Sequence, residues 1–208
     1  MVIVSLFELV CNKETGIYTI VSLMTLGCPL CDGFLKHRDH KCRNAKNILG
    51  EIRHFKLRRL LCIVCESLHI ELPDIIQPFK HYDSETIQSV IDGDDAAEDC
   101  VADESTMRRW KKDFTEALPD IDLRLASVYA RETDSKTPII SPNMTLTAAR
   151  ATEKHWLGFV MELLINNGYK LCTRFAFRPF HFSDKIQNAG RNDNGGEAKS
   201  DKTVNDTG

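Results

Sequence analysis

Two cysteine pairs, Cys28-Pro-Leu-Cys31 and Cys62-Ile-Val-Cys65, constrain this chain more than any other feature. Two thiolates separated by two residues can point at one ion from a single tight turn. Two such turns supply four sulfurs at about 2.3 Å in a tetrahedron. The expected ion is Zn2+, and because four sulfurs fill its coordination shell the site is expected to be structural. Asp32-Gly33 after the first pair suits a tight turn, with Gly relieving backbone strain. Glu66-Ser67 stands in the corresponding place after the second pair. The segment between the pairs is longer than the usual spacer of roughly 15–20 residues; a hairpin with one long strand, Ile52 to Leu61, accommodates it. A mixed site drawing on His37, His40 or Cys42 is the alternative ligand set. A redox role fits less well, because such pairs usually open a helix in a βαβ unit and no βαβ pattern is present. Cys11, Cys100 and Cys172 are unpaired and are read as buried apolar packing.

The 208 residues, 42% hydrophobic and 27% charged, have the composition of an ordinary globular chain with enough material for a real core. The longest uncharged run, Thr15 to Cys31, is shorter than the roughly 20 residues a bilayer requires. The first residues lack a basic stretch and carry Glu8 within the apolar run, which does not read as a secretory signal. A cytoplasmic location with reduced cysteines is therefore expected, with no membrane contact. The net charge of −3 hides an uneven layout. Residues 28–82 hold 10 basic and 6 acidic side chains, residues 83–104 hold 9 acidic and no basic ones, and residues 105–112 hold four basic and no acidic ones. Such blocks steer partner choice more than the total does.

Alternation and helical periodicity divide the chain. Short strands are expected over about 2–9 and 17–26, on either side of Gly16. A strand runs into the second Cys pair with Phe55, Leu57 and Leu61 on one face, and a second strand leaves it through Leu68, Ile70 and Leu72. Asp83 or Ser84 caps a helix carrying Ile87, Val90 and Ile91, which Gly93 ends. Ala96 to Ala102 suits a short second helix. Met107, Trp110, Phe114, Ala117 and Leu118 form the stripe of a third, stopped by Pro119. Residues 120–131 suit another helix, and residues 145–167 a long one capped by Gly168. The expected class is α+β: a zinc ribbon with a small antiparallel sheet over 1–78, then an all-α helix-turn-helix region with a long C-terminal helix over 79–182. Residues 183–208 are almost devoid of apolar side chains and are expected to be a disordered tail.

The helix over 104–118 is the second functional signal. Arg108, Arg109, Lys111 and Lys112 crowd its first turns, where cations oppose the helix dipole. Local stability does not explain them, whereas an anionic partner does. Ser105 and Thr106 offer hydroxyl and backbone donors to phosphate, and the cations can reach phosphates or base edges in a major groove. The order helix, short helix, basic helix is that of a helix-turn-helix, making double-stranded DNA the expected partner. The competing reading is a solvated basic face balancing the acidic block. Lys56, Arg58 and Arg59 form a smaller basic patch near the second Cys pair. No P-loop, GxGxxG, HExxH or GxSxG motif is present, so no catalytic residues are assigned. His69 and His81 are read as packing or hydrogen-bonding groups.

The runs GCPLCDG, LRRLLCIVCESLHIELPD, PFKHYDSETI and ESTMRRWKKDF resemble an uncharacterised bacterial family known as domain of unknown function number 6431. Its members look like a zinc ribbon followed by a helix-turn-helix, similar to the front modules of transposases and phage-associated regulators. The resemblance covers about residues 25–115. It implies that Cys28, Cys31, Cys62 and Cys65 are the metal ligands and that Arg108, Arg109 and Trp110 belong to the second module. The expected function is that of a zinc-binding, non-enzymatic DNA-binding protein. The alternative is a protein-interaction adaptor, with a mobile-element enzyme as its partner.

Overall fold

The computed structural model describes residues 1–133, 145–171 and 179–181. Strands β1 (Val2–Val4), β2 (Phe7–Cys11), β3 (Ile17–Ser22), β4 (Leu35–Lys46), β5 (Ile52–Cys62) and β6 (Leu68–Pro73) form one sheet. Helices α1 (Ser84–Asp92), α2 (Glu104–Thr133), α3 (Leu146–Thr152) and α4 (Trp156–Asn166) follow, with a 3-10 turn over Asp95–Asp99. The short strands β7 (Tyr169–Leu171) and β8 (Pro179–His181) pair antiparallel. The expected tail, 183–208, and Cys172 lie outside the described residues.

Strand β5 is the axis of the sheet. Strand β4 pairs antiparallel with it along its whole length. Its other side is divided between β3, parallel at His54–Lys56, and β6, antiparallel at Arg59–Leu61. The sheet is thus mixed rather than the small antiparallel sheet expected. The N-terminal strand also divides in two at Ser5-Leu6: β1 runs parallel to β6, while β2 pairs with β3. Burial changes side along β5. Phe55 and Leu57 enter the main core, whereas Leu60 and Cys62, of opposite parity, enter a smaller cluster with Val2, Cys28 and Leu35. Leu60, not the expected Leu61, is the buried residue of that pair. A bulge between His37 and Asp39 turns Leu35 toward the Cys62 side while Ala45 keeps to the main core.

One buried cluster joins Ile3, Phe55, Leu57 and Leu72 to Ile87, Trp110, Ile121 and Leu157, so strands and helices share a core across residue 78. The helices depart from expectation in two places. Pro119 does not stop α2, which continues to Thr133. Proline removes one backbone donor and costs about 3 kcal/mol inside a helix. The stripe of Trp110, Phe114 and Ala117 continues as Ile121, Leu125 and Val128, all buried, and this packing outweighs the local penalty. The expected single helix over 145–167 is instead broken at Glu153–His155. The side-chain amide of Gln88 occupies the break: its Nε2 donates to the Lys154 carbonyl at 2.8 Å and its Oε1 accepts the Leu157 N–H at 3.1 Å. Among the described residues no helix is long and apolar enough to cross a membrane.

A second amide closes the β1 margin of the sheet. Asn166 accepts the Ile3 N–H at 2.9 Å and donates to the Ile3 carbonyl at 2.8 Å, as a neighbouring strand would. Replacing Asn166 by Ala leaves both Ile3 groups without these partners. The expected loss is about 3 kcal/mol of unfolding free energy at unchanged denaturant dependence, measured by urea unfolding.

Candidate metal centre

Each Cys pair sits in a turn of the same backbone design. In the first, the Cys28 N–H donates to the Gly33 carbonyl at 2.9 Å and the Asp32 N–H to the Cys28 carbonyl at 2.7 Å. In the second, Cys62 N–H donates to the Ser67 carbonyl at 3.0 Å and Glu66 N–H to the Cys62 carbonyl at 3.1 Å. Asp32 and Glu66 occupy equivalent positions, and both are left-handed, with φ of 57° and 56°. The expectation for Gly33 therefore needs correction. The left-handed residue is the acidic one before it, and Gly33 is required for space. A Cβ there would lie 2.9 Å from Cys62 Sγ and 2.8 Å from Val64 Cγ2. Ser67 is its counterpart in the second turn.

The turns bring four Sγ atoms within 4.8 Å of one another, with Cys28–Cys65 at 3.6 Å and Cys31–Cys62 at 3.5 Å. Sulfurs on a tetrahedron of 2.3 Å arms are about 3.8 Å apart, so the cage fits a small thiophilic ion. Cys28 and Cys62 are buried and Cys31 and Cys65 face outward, as expected of a site at the edge of a core. Burial pushes the Cys28 thiol up to about 12, while hydrogen bonds from the Ser67 side chain and backbone pull Cys65 down to about 6. A bound divalent cation would deprotonate both outright. His37, His40 and Cys42 stay on the exposed part of β4, outside the cluster.

His69, which from the sequence reads as a packing or hydrogen-bonding group, lies at the metal centre. It is buried, its Nε2 lies 3.3 Å from Cys28 Sγ, and its Nδ1 lies 2.8 Å from the Met1 amine. A metal-bound thiolate only accepts, so at this distance the His69 Nε2 is the donor. The available signal was cross-strand register: His69 pairs with Leu60, which has the same parity as Cys62. The helical layer also touches the centre. Gly168 is left-handed, with φ of 88°, and a Cβ on it would lie 2.7 Å from the Pro29 carbonyl.

The expected DNA-contacting residues divide into free and engaged groups. Ser105, Arg108, Arg109, Lys111 and Lys112 lie exposed on α2, with Thr106 half-buried. Arg108 meets Glu104 at 2.5 Å and Lys112 meets Glu116 at 3.9 Å, both on the open surface. Thr106 and Arg109 line an open cleft of about 590 Å³ with Asn44, Lys46, Lys80 and His81. On β5, Lys56 is exposed, but Arg58 forms a two-pronged pair with Glu71 and Arg59 is held by Asp39. The side chain of Asp39 is thereby kept below the usual carboxylate range. The connection between α1 and α2, residues 93–103, is longer than the three or four residues of a tight helix-turn-helix turn.

Residues 28–110 match the family model described as Domain of unknown function (DUF6431). The match runs from the first cysteine of the cage to Trp110 of α2. No curated protein and no solved structure matches the chain.

Co2+ titrated into the reduced chain should saturate at about one equivalent with tetrahedral thiolate absorption. Cys62→Ala should abolish stoichiometric binding, and His69→Ala should weaken it by roughly 10- to 100-fold in chelator competition. Affinity should fall as pH is lowered, because the thiols regain protons that metal displaces.

Proposed function

We propose that this is a zinc-stabilised, non-enzymatic protein that binds double-stranded DNA through the start of α2, in a reducing, cytoplasmic setting. The supporting observation is how the acidic block is used. Asp83 caps α1 and Asp94 caps the 3-10 turn. Asp92 holds Arg150 and accepts the Trp156 indole N–H at 2.8 Å. These three carboxylates serve the fold; of the rest of the block, Glu104 pairs with Arg108 and Asp103 lines the cleft beside Arg109, so the block offsets the basic helix only in part. Among the described residues no carboxylate lies within ion-pair distance of Arg109 or Lys111. The Arg108–Glu104 pair is exposed and exchanges readily for phosphate.

Four cations on the first turns of a helix are unfavourable for the helix itself, and phosphate removes that conflict. Trp110 packs edge-on against Tyr82 with ring centroids 5.1 Å apart, which fixes α2 against the segment after β6. Thr106 and Arg109 then face the cleft that Asn44 and Lys46 of β4 line from the other side. In this reading α1 and α2 act as a spread helix-turn-helix. Lys56 is a further backbone contact, while Arg58 and Arg59 mainly hold the sheet. Zinc in the four-sulfur cage supplies rigidity and no chemistry.

Fluorescence anisotropy on duplex DNA across a salt series tests this. Binding should weaken steeply with salt, and the Arg108→Ala/Arg109→Ala double variant should bind at least tenfold more weakly with a log–log slope reduced by about 2. Because both side chains are exposed, unfolding should be unchanged. Salt-independent binding, or wild-type affinity in the double variant, would refute the assignment. Recovery of a protein but no nucleic acid in pull-downs would point to the adaptor role instead.

A further inference from the structure

Among the described residues, β1, β2 and β4 each pair with only one other strand, and the three margins differ. Asn166 closes the margin at β1. Strand β4 carries Lys36, His37, Arg38, His40 and Lys41 together with a bulge, the usual devices against unwanted pairing. Strand β2, Phe-Glu-Leu-Val-Cys, has no bulge and no cation, and Glu8 is its one charge. It is exposed from Glu8 to Cys11, and Leu6, Val10, Val21 and Leu23 are between 43% and 63% exposed around it.

Its backbone is set for a second partner. The Leu23 N–H donates to the Leu6 carbonyl and the Asn12 N–H to the Ile17 carbonyl, so these two pairs are bonded inward. Alternation along an antiparallel ladder then turns the N–H and carbonyl groups of Phe7, Leu9 and Cys11 toward the open side.

We propose that β2 pairs antiparallel with β2 of a second copy of this chain, about a two-fold axis through Leu9. In that register Leu9 faces Leu9 of the other copy, Phe7 faces Cys11, and Glu8 faces Val10. All three outward-facing residues meet as bonded pairs, giving roughly six new backbone hydrogen bonds over the full strand. An axis through Glu8 would set two carboxylates opposite each other, which disfavours it. An axis through Val10 would leave Phe7 without a partner in the strand. Charge and hydrogen-bond pattern therefore select one register. This pairing does not depend on the DNA-binding reading.

Analytical ultracentrifugation of the full, reduced chain with its metal content verified provides the test. The wild type should sediment as a dimer at tens of micromolar. Leu9→Lys and Leu9→Asp should each raise the dimer midpoint at least tenfold, because each places like charges at the axis. Mixing the two variants should restore the dimer, since Lys then faces Asp. Cys11→Ser should leave it intact, because the two Cys11 residues are not opposite each other. Both charge variants must keep the wild-type circular dichroism. Should either not, Leu9→Pro replaces it, removing an outward N–H without touching the β2–β3 ladder, and it too should be monomeric. A wild type that stays monomeric throughout, variants that all dimerise, or a mixture that stays monomeric would overturn the proposal.

Discussion

The four-sulfur cage is the constraint on which the β-rich half depends. Its ligands come from the approach to β4 and from the β5–β6 turn, so it ties together the two ends of the longest strand pair in the protein. Among the described residues the small cluster beside it has Val2, Cys28, Leu35, Leu60 and Cys62 as its buried apolar members. The hairpin gains further burial from Ala45, Phe55 and Leu57 in the main core, but the two turns themselves bury little, and an ion that bound only the folded arrangement would add to their stability. The left-handed Asp32 and Glu66 show that the turns hold non-glycine residues in a sparsely populated conformation. The Asp32 and Glu66 N–H groups donate to the Cys28 and Cys62 carbonyls, and these turn hydrogen bonds hold them there.

The cage was legible in the sequence because its signal is local: two residues between sulfurs define a turn before any fold is known. The strand into the second pair, the stripe around Trp110 and the cap at Asp83 were legible for the same reason, each resting on one short period or one capping residue. What was not legible depended on distant partners. Pro119 reads as a stop unless Ile121, Leu125 and Val128 are known to meet the same core as Trp110. Nothing in residues 145–167 announces a break, because the group that satisfies it, Gln88, lies on another helix. Asn166 reads as a helix end, not as the closure of a sheet margin. In the cage itself, cross-strand register brings in His69, and the space beside Cys62 rather than φ explains Gly33.

The cations of the hairpin call for separate accounts on its two strands. On β4, which has an open side, Lys36, Arg38 and Lys41 serve to discourage strand addition. Strand β5 lies inside the sheet and has no such need, yet it carries Arg53, Lys56, Arg58 and Arg59. Glu71 and Asp39 account for two of these. The outward Lys56 lies across the ladder from Cys42, and His54 and Asn44 continue that face toward Lys46 and the cleft beside α2. Of the two cations left, Arg53 shares the face of Phe55 and lines a pocket with Asp74 and Glu85, while Lys56 lies on the face of the hairpin that leads toward the basic helix.

This alignment depends on register, which the buried Phe55 and Leu57 and the clustered cysteines both constrain. Side chains alternate along a strand, so a slip of one residue in β5 would carry Lys56 into the space of Phe55 and Leu57 and expose the core. Apolar pairing resists such a slip only weakly near the cage, where Leu60 and Leu35 are the main buried contacts. A Cys62 bound to an ion would resist it strongly, since a shifted strand would point its sulfur away from the other three. The bulge between His37 and Asp39 adjusts β4 to the same arrangement, letting Leu35 face the cage while Ala45 stays in the core. An ion held by the four sulfurs would therefore reinforce, through strand parity, which face of the hairpin carries Lys56 and where that face points.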